Sequence, residues 1–383
     1  MDGAGIVGTG DAFDANLQRR EGVRRILNRH TGASTPMGVA IFALDIGLYI
    51  AAIAGILFLQ PMWAKILLSL YAGIKLANLG ALAHDAAHHN LVVSPKLNEV
   101  LGFFAFLPGF FNWALWKFDH HHVHHPNTNG SHEDSWTPMS KAQFDALPRW
   151  KQSLERLWRN SYGLGLAPYY IFRRWGRVKV IPGAFLPKQF RAAAWLHFGL
   201  VATYAVGFIA LLAMAPAYSG TSSVTALVLG FAVPFYIWMT LFSLTVYVQH
   251  THKEIPWFEG SVDRRTAMPH EALSLHLDFP KIIKTLVHNI YEHGAHHANV
   301  RIPFYRLQQA QAELNAMENG RSVYQKFSFK WLHETLRDCR LYDYENHRWL
   351  DFDGNPTTDV IVTDQQRADL FRYGKGNQYL ARS

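Results

Sequence analysis

The 383-residue chain is poor in cysteine and in charged residues. Its single cysteine, Cys339, excludes an internal disulfide and any metal site built from several thiolates. Charged residues make up 17% of the chain, and residues 1–36 lack the apolar core of a cleavable signal peptide. The sequence is rich instead in histidine, with 21 residues, and carries a formal net charge of +8. A metal bound here would therefore need nitrogen and oxygen ligands.

Long apolar runs indicate an integral membrane protein. Four of them are long enough for a helix to cross about 30 Å of hydrocarbon. These runs cover residues 37–59, 62–83, 192–215 and 224–248. Only Gln60–Pro61 separates the first two runs and only residues 216–223 separate the last two, so the spans form two hairpins. A fifth run, residues 97–116, is broken by Pro108–Gly109 and predicts an embedded or re-entrant segment. A soluble protein with buried apolar helices is the alternative.

The basic residues predict the orientation of these spans. The two turns within the hairpins contain no Lys or Arg, whereas residues 1–36 and 117–191 are rich in both. Because cytosolic loops carry an excess of basic residues, both termini and the loop 117–191 are expected in the cytosol. The fold predicted is an all-α integral membrane protein, with four transmembrane helices, one re-entrant helix and a cytosolic helical cap.

Three segments are expected along the chain. Residues 1–36 form a cytosolic N-terminal segment, residues 37–310 a membrane domain, and residues 311–383 a cytosolic C-terminal extension. Apolar and polar residues alternate within 339–356, a pattern typical of a β-hairpin.

Histidines cluster directly after the apolar runs. The stretches are HDAAHH (84–89), HHHVHH (120–125), QHTH (249–252) and HGAHH (293–297). All of them lie at the predicted cytosolic end of a membrane element. The four stretches are therefore expected at the same depth relative to the membrane. Histidines that serve only solubility would not be arranged in this way.

The spacing within the boxes suits metal binding. Residues i, i+3 and i+4 share one face of a helix. This spacing occurs at His84 and His88, at His121, His124 and His125, and at His293, His296 and His297. With His250 there are nine such imidazoles. One zinc ion takes four ligands, so nine suit two ions better, and imidazole binds iron, copper, zinc and nickel.

The quoted boxes, read as HDAAHH, HHVHHPNTN, VQHTH and HNIYEHGAHH, resemble those of the membrane fatty acid desaturases, and most of all the acyl-lipid desaturases. The resemblance covers residues 38–310. It implies a non-haem centre of two iron ions and O2 as co-substrate. It also implies a separate electron donor protein of the ferredoxin or cytochrome b5 type, because no haem or iron–sulfur motif is visible in the chain.

The resemblance also implies the metal ligands. They are His84, His88, His89, His121, His124, His125, His250, His293, His296 and His297. His89 is an alternative to His88, and His252 an alternative to His250. On an α-helix His120 and His122 would point away from the others, which predicts hydrogen-bonding or solvent-facing roles. Several relatives carry Asn one turn before the fourth-span histidine, where this chain has Val246.

The function implied is insertion of a cis double bond into a fatty acyl chain that is linked to a lipid. A hydroxylase or ketolase acting on an alkane, sphingolipid or carotenoid could use the same boxes. A metal transporter is a more distant alternative, because it would need polar ligands near the middle of the bilayer. The partners expected are the acyl lipid, membrane lipids and the electron donor, with no nucleic acid.

Further residues carry two smaller predictions. Aromatic residues within the second part of the fifth run are candidates to line an apolar substrate tunnel: Phe110, Phe111, Trp113 and Trp116. Anchoring at the membrane interface is the alternative role for them. Basic residues of the cytosolic loop could receive an acidic donor or anionic lipid: Arg173, Arg174, Arg177 and Lys179.

Two charges interrupt the first hairpin. Asp45 lies 16 residues before Pro61 and Lys75 lies 14 residues after it. At a rise of 1.5 Å per residue, their depths differ by only about 3 Å. Because an unpaired charge in hydrocarbon is costly, the sequence predicts that the two side chains pair. Separate snorkelling toward the interface is the alternative.

Overall fold

The computed structural model describes residues 21–131, 136–259, 270–317 and 322–362. The first part of the N-terminal segment, residues 1–20, and the last part of the C-terminal extension, residues 363–383, lie outside the described residues.

Four helices of the described residues are long and apolar enough to cross a membrane. They are α1 (Thr35–Phe58), α2 (Met62–Ala87), α3 (Lys188–Ala213) and α4 (Ser223–His250). The prediction of four spans in two hairpins is confirmed. The first hairpin turns at Pro61, because a proline disfavours helical conformation in the residue before it. α2 continues past its apolar run, so His84 lies within the last turn of the helix.

The four spans differ in how far the protein covers them. In its most apolar stretch α2 is 61% buried, whereas the corresponding stretch of α3 is 17% buried. α2 packs between α1 and α4, so it is the central helix of the bundle. The outward side chains of α1 and α3 are apolar, Leu44, Ile50, Leu196 and Val206 among them. This suits contact with lipid chains, which are as apolar as the side chains themselves.

The fifth apolar run forms a bent segment. The part Pro95–Gly109 meets the part Trp113–Asn127 at 111°, so the prediction of an embedded, interrupted segment is confirmed. Phe110 has left-handed backbone torsions at the bend, with φ 59°. The buried Asn112 caps the second part, since its side-chain oxygen accepts a hydrogen bond from the Leu115 N–H. Its amide group donates to the carbonyls of Val180 and Ala194, which fixes the bend against α3.

The described residues outside the spans and the bent segment form a cap of short elements. Its helices include Lys141–Asp145, Arg149–Trp158, Leu166–Tyr169, Lys281–Leu286, His293–Ala298, Leu307–Ala316 and Phe329–Asp338, together with a π-helix at Tyr170–Val180. Strand β1 (Leu275–Asp278) pairs in parallel with β2 (Val323–Lys326). Strands β3 (Leu341–Asp343) and β4 (Arg348–Leu350) pair antiparallel, within the stretch where a hairpin was predicted.

The β3–β4 hairpin is attached to the chain that follows α4. Trp349 Nε1 donates a hydrogen bond to the carbonyl of His252, and His347 Nδ1 lies 3.1 Å from the carbonyl of Trp257. Cys339, Tyr342, Trp257 and Trp349 form one buried cluster. The described part of the C-terminal extension is therefore an integral part of the cap.

Asp45 and Lys75 form the predicted buried pair. Lys75 Nζ lies 2.8 Å from Asp45 Oδ1, and both side chains are less than a tenth exposed. The second carboxylate oxygen, Oδ2, lies 2.5 Å from His288 Nε2. The sequence did not predict this third partner, because His288 belongs to the cap and is remote along the chain.

Candidate metal centre

The end of α2 positions the first histidine box. His84 lies in the last turn, and His88 caps the helix after Ala87. His89 adopts a left-handed conformation with φ 55°, which turns its side chain away from the other two. That side chain is 43% exposed and lies beside Glu99. Of the two alternatives in this box, the structure brings His88 rather than His89 to the other histidines.

A π-helix at Asp119–His124 positions the second box. The N–H of His125 bonds to the carbonyl of His120, the i to i+5 pattern of a π-helix. His120 Nε2 lies 3.1 Å from His125 Nε2 and 2.9 Å from His88 Nε2. The expectation that His120 points away from the site is therefore wrong, because it assumed α-helical spacing. His122 is exposed, as expected.

His121 occupies an intermediate position. Its ring lies 4.9 Å from that of His88, and its buried Nε2 has no hydrogen-bond partner among the described residues. It is nevertheless outside the sets of converging histidines described below.

His250 and the third box approach from the opposite side. His250 is the last residue of α4, and its Nδ1 lies 3.0 Å from the carbonyl of Leu273. A carbonyl only accepts, so this nitrogen carries the proton and the electron pair of the ring lies on Nε2. That Nε2 lies 3.0 Å from His293 Nε2, which in turn lies 2.9 Å from His297 Nε2. His252, by contrast, is adjacent to Trp331 and outside these sets.

The histidines converge into two sets of four. One set is His84, His88, His120 and His296; the other is His124, His250, His293 and His297. Within each set the possible ligand atoms lie within 4.8 Å of one another. His125 belongs to a third, overlapping set with His120 and His124, and so lies between the two. Each set of four combines residues from three chain segments. The histidines of a set therefore come together only when the chain folds.

Burial disfavours the protonated form of the imidazoles of the third box. The pKa values of His293, His296 and His297 lie well below the ordinary histidine value, first because burial disfavours the charged form and then because neighbouring imidazoles repel it. Neutral imidazole is the form that binds a metal ion.

Coordination of a metal ion would satisfy the buried ring nitrogens better than hydrogen bonds among the histidines do. Within the described part of the chain, His84 Nε2 and both ring nitrogens of His296 are buried without a hydrogen-bond partner. An unsatisfied buried polar atom costs about 1–3 kcal/mol. A metal ion bound to these nitrogens would remove that cost, and an all-nitrogen donor set suits iron, copper, zinc or nickel.

Two carboxylates lie beside the sets. Asp85 Oδ2 accepts a hydrogen bond of 2.6 Å from the Phe304 N–H, while its Oδ1 is 3.4 Å from His84 Nδ1. Glu292 precedes His293 and lies 2.8 Å from His276 and 2.9 Å from Lys284. Such groups hold ligand-bearing segments in place.

Histidines of both sets line one side-chain cavity with a mostly apolar wall. Its lining includes His84, His120, His124 and His293, with apolar side chains of α2 and α4. Of the four predicted aromatic residues Trp116 lines it, with its ring stacked on His120 at 4.5 Å. The other three are buried elsewhere in the core, because the bend directs Phe111 onto Phe106, for example.

The basic residues of the π-helix Tyr170–Val180 are not all on the surface. Arg174 and Lys179 are buried, and Lys179 pairs with Asp119 at the cavity wall. The hypothesis that all four receive an electron donor is therefore wrong for these two. Arg177 remains exposed.

The apolar helices form a bundle that carries two converging histidine sets beside an apolar cavity. These features define a membrane protein with a candidate polyhistidine metal centre. The family model described as fatty acid desaturase matches residues 26–328. The chain therefore belongs to the fatty acid desaturase family, and is an oxidoreductase that introduces double bonds into fatty acyl chains.

Characterised relatives share most of this length. The sn-1 oleoyl-lipid 12-desaturase of Picosynechococcus sp. is 27% identical, over 81% of this chain and 84% of that protein. The chloroplastic omega-6 fatty acid desaturase of Spinacia oleracea is 24% identical, over 81% of this chain and 65% of that protein. The sn-1 acyl-lipid omega-3 desaturase (ferredoxin) of Synechocystis sp. is 25% identical, over 72% of this chain and 74% of that protein.

Proposed function

We propose that this chain is an O2-dependent di-iron desaturase that inserts a cis double bond into an acyl chain of a membrane lipid. The observation that carries the proposal is the arrangement of two four-histidine sets that both contribute to the lining of an apolar cavity. The relatives named for oleoyl-lipid and acyl-lipid substrates support a lipid-linked chain over a free fatty acid.

The two histidine sets are the proposed ligands of the two iron ions. His120 joins the ligands expected from the sequence, and His125 lies where it could serve either ion. His121 stays a candidate because its Nε2 is buried beside His88, whereas the exposed His89 has no such support. When bound, an iron pair would supply, with O2, two electrons and two protons, the oxidising power to remove one hydrogen from each of two adjacent methylenes, and both oxygen atoms would leave as water.

The protein orients the metal-binding side chains, holds the acyl chain and excludes water from the reacting carbons. The hydrogen bond from His250 Nδ1 to Leu273 fixes which ring nitrogen faces the second set. Trp116, Trp238 and Phe242 provide apolar walls that hold an acyl chain and exclude water from the reacting carbons. Lys179 and Asp119 neutralise one another at the wall, so no unpaired charge faces an apolar substrate there.

The electron donor and the orientation belong to the same proposal. The donor is a separate protein of the ferredoxin or cytochrome b5 type, and the name of the Synechocystis relative favours ferredoxin. The cap, the histidine sets and both termini lie in the cytosol, as the distribution of basic residues indicates. Residues 37–310 act as the membrane domain, between the N-terminal segment and the C-terminal extension.

Expression in a host of defined lipid composition tests the reaction. Mass spectrometry of total fatty acids is expected to show products that have lost two hydrogens, and purified protein about two irons per chain. His296→Ala is expected to abolish product formation while the protein remains in the membrane. His333→Ala is the matched control, because His333 bonds to Ser161 in the cap, outside both sets. Products that gain oxygen would indicate a hydroxylase, and full activity with a single zinc would contradict the di-iron centre.

A further inference from the structure

One wall of the cavity is a short connection that precedes the third histidine box. We name residues 286–291 the wall segment; it joins the helix Lys281–Leu286 to the residues before His293. Val287, Ile290 and Tyr291 of this segment line the cavity. Since His293 follows Tyr291 by two residues, the position of the wall segment sets the width of the cavity beside the histidines.

Polar tethers attach the wall segment to three of the spans. The side-chain amide of Asn78 in α2 donates to the carbonyl of Leu286 at 3.0 Å. The amide of Gln249 in α4 donates to the carbonyl of Ile290 at 2.9 Å. The third tether joins His288 to Asp45 in α1 at 2.5 Å, and Asp45 also binds Lys75 of α2 at 2.8 Å. We call this last group the Asp45–Lys75–His288 triad.

The backbone of the wall segment needs such tethers. His288 and Asn289 both have left-handed torsions, with φ 52° at each. Two consecutive non-glycine residues in this region are costly and persist only where the surroundings over-determine them. Asn289 is held by Phe304 and Gln308, at 2.8 Å and 2.6 Å. The side chain of His288 is held by the triad.

The triad does not itself meet the cavity. Asp45, Lys75 and His288 are all buried, and none of them is among the residues that line it. They also lie outside both histidine sets. An effect of His288 on catalysis would therefore pass through Val287 and Ile290, the residues of the wall segment near His288 that do line the cavity.

We propose that the Asp45–Lys75–His288 triad positions the wall segment and so decides which carbon pair of the acyl chain lies beside the histidine sets. This inference rests on the proposed function, because it takes the cavity as the acyl-chain site. A misplacement of reacting atoms by about 1 Å can cost roughly 100-fold in rate. A shifted wall therefore changes both the position of the double bond and the rate, without changing a metal ligand.

The test compares two substitutions of His288 in the full-length protein, expressed in a host of defined lipids. His288→Leu removes the bond to Asp45, whereas His288→Gln keeps an N–H donor. His288→Leu is expected to give positional isomers that the wild type does not make, with roughly 10-fold lower kcat/KM and unchanged iron per chain. His288→Gln is expected to restore the single isomer. Double-bond positions are read by mass spectrometry of the derivatised fatty acids.

Thr221→Val is the matched control. It breaks another buried tie, in which Thr221, in the turn before α4, accepts a bond of 2.6 Å from Lys65 of α2 and donates one of 2.6 Å to the carbonyl of Leu57 in α1. None of these three residues lines the cavity. This variant is expected to lose thermal stability and keep the single isomer. Isomers of the same kind in Thr221→Val would show that general destabilisation, not the triad, alters the product.

Three further outcomes are decisive. A single wild-type isomer from His288→Leu overturns the proposal, and so does loss of iron, which would assign the triad to metal loading. If His288→Leu does not accumulate, Ile290→Ala tests the wall directly, and an unshifted double bond in that variant overturns the proposal. A wild-type protein that makes no desaturated product refutes the proposed function instead.

Discussion

Substitution of the Asp45–Lys75 pair by leucine is expected to be far less harmful when both residues are changed than when one is. The side chains of Asp45 and Lys75 are 3% and 9% exposed, so each charge depends on its partner rather than on water. Removing one partner of a buried pair costs about 3–5 kcal/mol, whereas replacing both by apolar residues can be nearly neutral.

The triad makes the two single substitutions unequal. Asp45→Leu leaves the Lys75 ammonium without a carboxylate and also removes the acceptor of His288. The loss of unfolding free energy is therefore expected near the upper end of the range of about 3–5 kcal/mol. Lys75→Leu leaves Asp45 bonded to His288, so the loss is expected at about 1.5–3 kcal/mol, the worth of one hydrogen bond to a charged group.

Thermal unfolding of the full chain in detergent measures these losses. A change of 1 kcal/mol shifts Tm by about 2–4 °C in domains of 150–250 residues, and by less in longer chains. Asp45→Leu is therefore expected to lower the apparent Tm by roughly 5–10 °C. The double variant should recover most of this loss. Additive losses in the double variant would refute the reasoning, because they would show that the two charges do not stabilise each other.

Three other predictions concern the site. His120→Ala is expected to lower the iron content and abolish activity, and the exposed His122→Ala to change neither; equal effects would contradict the π-helical placement. Gly80→Ala would bring a Cβ within 2.3 Å of the Trp238 ring, which lines the cavity. The variant is expected to lose activity and about 1–3 kcal/mol of stability and to retain its iron. Gly47→Ala is the control, because a Cβ there meets no atom within 4 Å. Chelation should abolish activity, and iron but not zinc should restore it; full activity with zinc would contradict the redox role of the metal.

The spans could be predicted from the sequence because hydropathy alone determines them. A helix in lipid satisfies its own backbone hydrogen bonds, so a long apolar run specifies both the element and its approximate ends. The pairing of Asp45 with Lys75 followed from the same geometry, since two helices joined by a tight turn share a depth scale. α2 extends beyond its apolar run to Ala87, and two of the four added residues, Ala86 and Ala87, are strong helix formers.

The site was harder to predict because its details depend on backbone irregularities. The i, i+3 and i+4 rule holds for His293, His296 and His297 but not for the second box, where a π-helix brings His120 inward. The spacing of the histidines within residues 120–125 does not reveal whether the segment forms an α-helix or a π-helix. The left-handed turn at His89 is likewise a product of packing around the end of α2.

The pairing of β1 with β2 and the attachment of the β3–β4 hairpin have a consequence for biosynthesis. Every histidine of the two sets is synthesised before residue 298, whereas β2, β3 and β4 begin at Val323, Leu341 and Arg348. At about 5–20 residues per second, the last strand leaves the ribosome some seconds after the last histidine. Among the described residues, the strands that complete the cap are thus synthesised last, and a nascent chain with its spans inserted already carries every histidine of the two sets before those strands can pair.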